Sequence, residues 1–175
     1  MKRKWILVVL AAPALLVVLL GGIGLFIPER HTATCAATIP APANAVFALI
    51  ANFDSGATWR TDLERVERID GGDGRTSWVE HGELGRSTLE LVEADPPNRL
   101  VKRVGDDELP SGRMWTCTLV QDDGACRVSI TEDGEIRSAV FRTLTLFVLG
   151  YHRTLERYLE DVGRHFGADV VVTRS

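Results

Sequence analysis

The chain has 175 residues, 45% of them hydrophobic, with 24 acidic and 20 basic side chains and three cysteines. Setting aside the cluster Lys2, Arg3 and Lys4 leaves about 17 basic groups against 24 acidic ones, a balance that phosphate backbones repel and that argues against nucleic acid as a partner. The length suits one domain rather than two, and the spacing of Cys35, Cys117 and Cys126 matches no metal pattern.

The first element is an apolar run that begins at Trp5 and ends at Ile27 without a charged side chain. At about 1.5 Å per residue it spans roughly 35 Å, enough for a transmembrane helix. Pro13 and the glycines at 21, 22 and 24 weaken a helix, yet both residue types are tolerated in lipid. A cleavable signal peptide would carry a shorter apolar core of about 7–15 residues and a small-x-small cleavage site. Here the run ends in Phe26-Ile27-Pro28-Glu29-Arg30, which offers no such site and favours a retained signal-anchor. The positive cluster at 2–4 keeps the N-terminus cytoplasmic and puts the rest in the periplasm or outside the cell. The organisation expected is an anchor over 1–28, a domain over 29–167 and a flexible tail over 168–175.

Beyond Pro28 the pattern changes to short alternating segments. Residues 32–39 put Ala33, Cys35, Ala37 and Ile39 on one face and Thr32, Thr34, Ala36 and Thr38 on the other, a half-buried strand. Pro42 suits the first position of a helix through about residue 53, and a short helix or turn holds Trp59. Strands are predicted over 63–69, 76–81, 87–94, 99–104 and 112–121, separated by Gly-, Pro- and Asp-rich breaks. Asp123-Gly124 reads as a two-residue hairpin loop leading to a strand over 126–135. That loop sets Cys126 opposite Gln121 and Cys117 opposite Ile130, which leaves the two thiols on one face roughly 13 Å apart, too far to bridge. Trp115, Cys117, Leu119, Val128 and Ile130 then share an apolar face, and the threonines the other, as in an antiparallel sheet covered on one side.

The covering element is predicted over 138–166, where Val140, Leu144, Phe147, Tyr151, Leu155, Tyr158, Val162 and Phe166 recur at steps of three or four. Its first half is apolar nearly all round, so it is either deeply buried or touches something apolar outside. Gly150 in its middle costs about 1 kcal/mol against alanine and points to a close approach of sheet or ligand.

The element order, with Ile39 through Phe47, Trp59, Glu93 through Leu100, Thr131 through Ile136 and the last helix, resembles the START-like superfamily. Within it the chain is most similar to the bacterial group of polyketide cyclase/dehydrase and lipid transport proteins. The resemblance implies an α+β helix-grip fold, a seven-stranded antiparallel sheet wrapped around a long C-terminal helix, here preceded by one transmembrane helix. It also implies a cavity between sheet and helix, and members share that cavity rather than one chemistry.

The small side chains of Ala33, Cys35 and Ala37 leave volume for a ligand, whereas Trp78, Trp115, Phe147 and Tyr151 packed as ordinary core would fill it. A hydrophobic small molecule or lipid would be lined by Trp78, Trp115, Leu119, Phe147 and Tyr151, positions taken from strand face and family place. His81 with Glu80 is the one candidate acid–base pair, but alternation puts Glu80 on the face of Trp78 and His81 on the other, so a surface histidine is the plainer reading. Glu132, Asp133 and Glu135 before the last helix cap its positive end or form a polar rim. No phosphate loop, nucleophile triad or metal motif occurs, so no cofactor and no metal are expected. A cyclase-type enzyme and a protein-interaction module with a filled core and an apolar patch around Phe141, Leu146 and Leu149 are the rival readings.

Overall fold

The computed structural model describes residues 15–70, 76–83, 85–106 and 112–175. A helix, α1, runs over the described residues 15–24 and leads into β1 (Arg30–Ile39), α2 (Ala43–Ala51), a 3-10 turn and the short α3 (Gly56–Trp59). Six strands follow: β2 (Leu63–Asp70), β3 (Thr76–Gly82), β4 (Gly85–Asp95), β5 (Arg99–Asp106), β6 (Gly112–Asp122) and β7 (Ala125–Glu135). The chain closes with α4 (Ala139–Leu144), a π-helical turn (Thr145–Leu149), α5 (Arg153–His165) and β8 (Thr173–Arg174).

All strands join one antiparallel sheet in the order β2-β3-β4-β5-β6-β7-β1-β8. Consecutive strands from β2 to β7 are hairpin neighbours, and β1 then returns to pair with β7, Cys35 opposite Ile130. The β6–β7 turn has Asp123 and Gly124 at φ 33° and 84°, the positive values a two-residue loop needs. Gln121 therefore faces Cys126 and Cys117 faces Ile130. All three cysteines are free and buried.

The sheet's concave face is covered by α5 and α2. Leu155, Tyr158, Leu159 and Val162, at i, i+3, i+4 and i+7, are each at most 3% exposed, so one stripe of α5 is wholly dry. They meet Cys35, Leu100, Cys117, Val128 and Ile130 in a single core. The small β1 side chains are buried in that core. They let α5 approach so closely that the Cys35 thiol lies 3.9 Å from the His152 carbonyl.

Two expectations change, and a third reaches beyond the described residues. The sheet has eight strands, not seven: residues 168–175, expected to be loose, set Val170 and Val172 on the core and pair Arg174 with Cys35. The Arg174 guanidinium also donates to Glu156 on α5 at 2.9 Å, tying the tail to the helix. The continuous C-terminal helix is broken, because Gly150 adopts φ 74° and ψ 139° and its N–H donates to the Thr145 carbonyl at 2.8 Å, five residues back. That backbone region is essentially closed to side-chain-bearing residues, so the glycine sits at the joint for conformational reasons, with open space around it. Finally, no described helix is long and apolar enough to cross a membrane, and residues 5–14 of the apolar run lie outside the described residues.

Gly150→Ala should therefore destabilise the domain by about 1–3 kcal/mol through backbone strain alone. Gly112→Ala, at a strand position with equally open surroundings, should change stability by less than about 0.5 kcal/mol. Urea titration of both variants reads the difference, and equal stabilities would remove the strain argument.

Candidate ligand-binding cavity

A cavity of about 670 Å³ opens between the sheet and the α4–α5 segment. Its size falls in the range of small-molecule sites. Leu89, Val104, Trp115 and Tyr151 give it an apolar wall, and Phe141, Thr145 and Gly150 reach its edge from the helical side. Across the β3–β4 end, Glu83 accepts from Arg157 of α5 at 2.7 Å, a bridge over the rim.

The cavity holds two charged clusters. The first is built on β5, where Leu100, Lys102 and Val104 alternate onto the inner face at 0%, 2% and 6% exposure. The Lys102 ammonium lies 4.5 Å from the Trp115 ring centre, 4.6 Å from that of Tyr158 and 5.9 Å from that of Phe53. Among the described residues it makes no hydrogen bond or ion pair. Burial, reinforced by the nearby Arg60 charge and partly offset by Glu80, brings its pKa down to about 8. Arg60 itself leaves α3 and donates to Glu80 at 2.5 Å and to Asp62 at 2.8 Å. Burial disfavours its charge, but Glu80 and Asp62 outweigh that and hold its pKa above the ordinary arginine value. Two cations thus lie near the acidic Glu80 and Asp62, with Arg60 alone in direct contact with them.

The second cluster sits beside the first on the same sheet, across β6, β7 and β1, with Trp115 between them. Glu132 accepts from the Trp115 indole at 2.5 Å, lies 3.3 Å from His31 Nε2, and is 3.8 Å from Arg113. The His31 ring stacks on Tyr151 with centres 4.4 Å apart, and its Nδ1 and the Arg113 Nε are buried without a partner. A carboxylate-oriented imidazole at a cavity wall can take up or release a proton on a bound molecule.

The cavity contains Trp115, Tyr151 and Glu80 from the residues read off the sequence. Leu119 is 3% exposed within the core, while Trp78 packs edge-on against Phe53 and donates to Asp54 at 2.9 Å. Phe147 points outward, 70% exposed. His81 lies on the sheet's other face against Arg65, at 3.2 Å, and does not converge with Glu80. Lys102, Arg60 and His31 were not singled out. The available signal was a lysine between Leu100 and Val104 on a strand's apolar face, since such residues are almost never buried unless paired. Among the described residues no group of acids, histidines and cysteines is placed to hold a metal ion.

A wrapped antiparallel sheet, a C-terminal helix across it and an open cavity between them define a helix-grip cavity protein. The chain belongs to the polyketide cyclase/dehydrase and lipid transport family, whose sequence model matches residues 30–166. Among curated proteins no relative matches in sequence. Among solved structures it is similar to the Zhui aromatase/cyclase from Streptomyces sp. R1128, at 16% identity and TM-score 0.66, covering 79% of this chain and 94% of that one. A START superfamily protein from Mycobacterium smegmatis matches at 12% identity and TM-score 0.62, covering 78% of this chain and 97% of the other. A Thalictrum flavum norcoclaurine synthase point mutant, solved with a transition-state analogue, matches at 11% identity and TM-score 0.62, with 78% and 94% covered. At these identities the likeness is one of fold.

Glu80→Gln should leave the partly exposed Asp62 as the one acidic partner of Arg60 beside the Lys102 cation, and cost about 1–3 kcal/mol. Adding Lys102→Met to that variant should recover part of the loss, because one of the two cations is then gone. Denaturant midpoints of the single and double variants check this, and additive losses would refute the coupling.

Proposed function

We propose that this protein holds one amphipathic hydrophobic molecule or lipid, its apolar body along Leu89, Val104, Trp115 and Tyr151 and its anionic group at Lys102. The observation that carries this reading is Lys102, a buried side chain whose ammonium lines the open cavity without a hydrogen bond among the described residues. Such a charge is expensive for the fold, and a carboxylate or phosphate beside it supplies the missing partner. Burial of apolar surface contributes the rest at roughly 25 cal/mol per Å² before ordering costs. The protein is tethered to a membrane by the run from Trp5 to Ile27, with the cavity domain on the periplasmic or extracellular side. The uninterrupted apolar sequence and the exposure of Leu15, Val18, Leu25 and Phe26, at 61–91%, support the tether. Alkaline carbonate washing should leave the full chain in the membrane pellet, and its release would refute the tether.

The pH dependence follows from the sign of the Lys102 shift. Its folded-state pKa of about 8 lies below the ordinary 10.5, so the empty domain bears the full cost of a buried cation below pH 8. That cost, on the order of 3 kcal/mol, fades as pH rises from about 8 toward 10.5, and stability should increase over this window. An anion bound at Lys102 favours its protonated form, so binding should take up protons and weaken above about pH 8. Lys102→Met should stabilise the empty domain and lower affinity for oleate about tenfold or more, with oleyl alcohol changed by less than about twofold. Calorimetric titration with both probes decides the matter: unchanged oleate binding, or equal loss of both, would overturn the assignment.

A further inference from the structure

We infer that α4 and the π-helical turn after it form a bilayer-docking surface that sets the cavity mouth into the headgroup region. The inference rests on the tether proposed above and adds a second membrane-contacting element. α1 packs side by side with α4. The Arg142 guanidinium donates to the Gly24 carbonyl at 2.8 Å, and the Thr143 hydroxyl donates to the Leu20 carbonyl at 2.7 Å. The approach is close enough that a Cβ on Gly24 would meet the Ala139 oxygen at 1.7 Å.

The depth follows from these contacts. Leu20 lies four residues before Gly24, where α1 ends, hence about 6 Å further into the membrane along the helix axis, and the apolar Leu25, Phe26 and Ile27 extend the run beyond that. Whatever bonds to Leu20 is carried to a comparable depth, and interfacial helices lie about 5–10 Å into the headgroup–acyl boundary. α4 and its neighbour present the side chains that such a position requires. Phe141, Leu146, Phe147 and Val148 are 37%, 46%, 70% and 68% exposed, an apolar patch continuous with Leu25 and Phe26 at 72% and 91%. The one charge carried in with them, Arg142, is 4% exposed and held by four acceptors: besides Gly24 it donates to Glu29 at 2.9 Å and to the Ile136 and Arg137 carbonyls at 3.1 Å. Phe141, Thr145, Gly150 and Tyr151 also line the cavity, so the docked surface and the mouth are one place. The occupant of this patch is the bilayer, and an amphipathic molecule dissolved in it reaches Lys102 without crossing water.

The test uses the full chain in phosphatidylcholine vesicles with Phe147→Cys carrying an environment-sensitive fluorophore. The native thiols are buried, with the pKa of Cys35 and Cys117 pushed up to about 11 chiefly by burial, so maleimide chemistry selects the new site. Val120→Cys, 61% exposed at the far end of β6, is the reference. Lipids with a nitroxide near the headgroup should quench the label at 147 at least about threefold more than the label at 120, with a blue-shifted emission at 147 only. Leu146→Cys should repeat the result. Equal quenching at the two sites in vesicle-bound protein overturns the docking and leaves the tether standing, and protein that stays off the vesicles overturns both. Strong quenching at 147 establishes the docking even if oleate binding fails its own test.

Discussion

The ring of Tyr158 is the contact on which both core and cavity depend. It is 3% exposed, sits in the dry stripe of α5, and meets Trp59 and Trp115 edge-on at 5.3 and 5.4 Å between centres. Its face is shared by Arg60 and Lys102 at 5.2 and 4.6 Å. One side chain thus closes the hydrocarbon-packed half of the domain and floors the charged half. Aromatic faces attract cations and edges attract one another's faces, so a single ring can serve both without a hydrogen-bond partner for the lysine. Displacing it would open the core to the cavity and strip the two cations of the aromatic face they share.

Around that ring the domain accepts instability at the cavity. Arg60, Glu80 and Lys102 are all at most 9% exposed, an arrangement that apolar residues of similar volume would commonly improve. By contrast Asp161, also fully buried, is a structural charge: it accepts from the Thr61 amide at 2.8 Å and from Arg164, pinning α5 to the loop after α3. The two kinds of buried charge are told apart by their partners. Asp161 is saturated, whereas Lys102 meets aromatic faces and makes no hydrogen bond among the described residues.

The strands and their register were largely legible because period-two alternation and the Asp123-Gly124 loop leave one consistent pairing, with Cys117 opposite Ile130. The α5 stripe was legible for the same reason at period 3.6. The break at Gly150 was not, since apolar residues at helical spacing continue on both sides and the positive φ leaves no mark on the pattern beyond the glycine itself. The two-residue β8 is too short for any periodicity. Of the cavity, Trp115 and Tyr151 followed from strand and helix faces, but a hydrophobicity-led reading passes over Lys102 and Arg60 because it assigns charges to solvent. Phe147 was placed inside on helical phase, and the π-helical turn rotates that phase outward.

The pairing of β1 with β7 has a consequence for synthesis. Arg30 meets Glu135 and Ile39 meets Cys126, so the sheet joins segments made about 90–100 residues apart. At roughly 5–20 residues per second, the emerging β1 waits on the order of ten seconds for its partner. Long-range pairings of this kind slow folding and leave strands open to wrong associations meanwhile. β1 is composed for that wait: it carries Ala33, Cys35 and Ala37 inward and threonines outward, where Val, Ile or Phe would make an adhesive template. The smallness that lets α5 lie close in the finished domain also keeps the nascent strand from sticking to its neighbours.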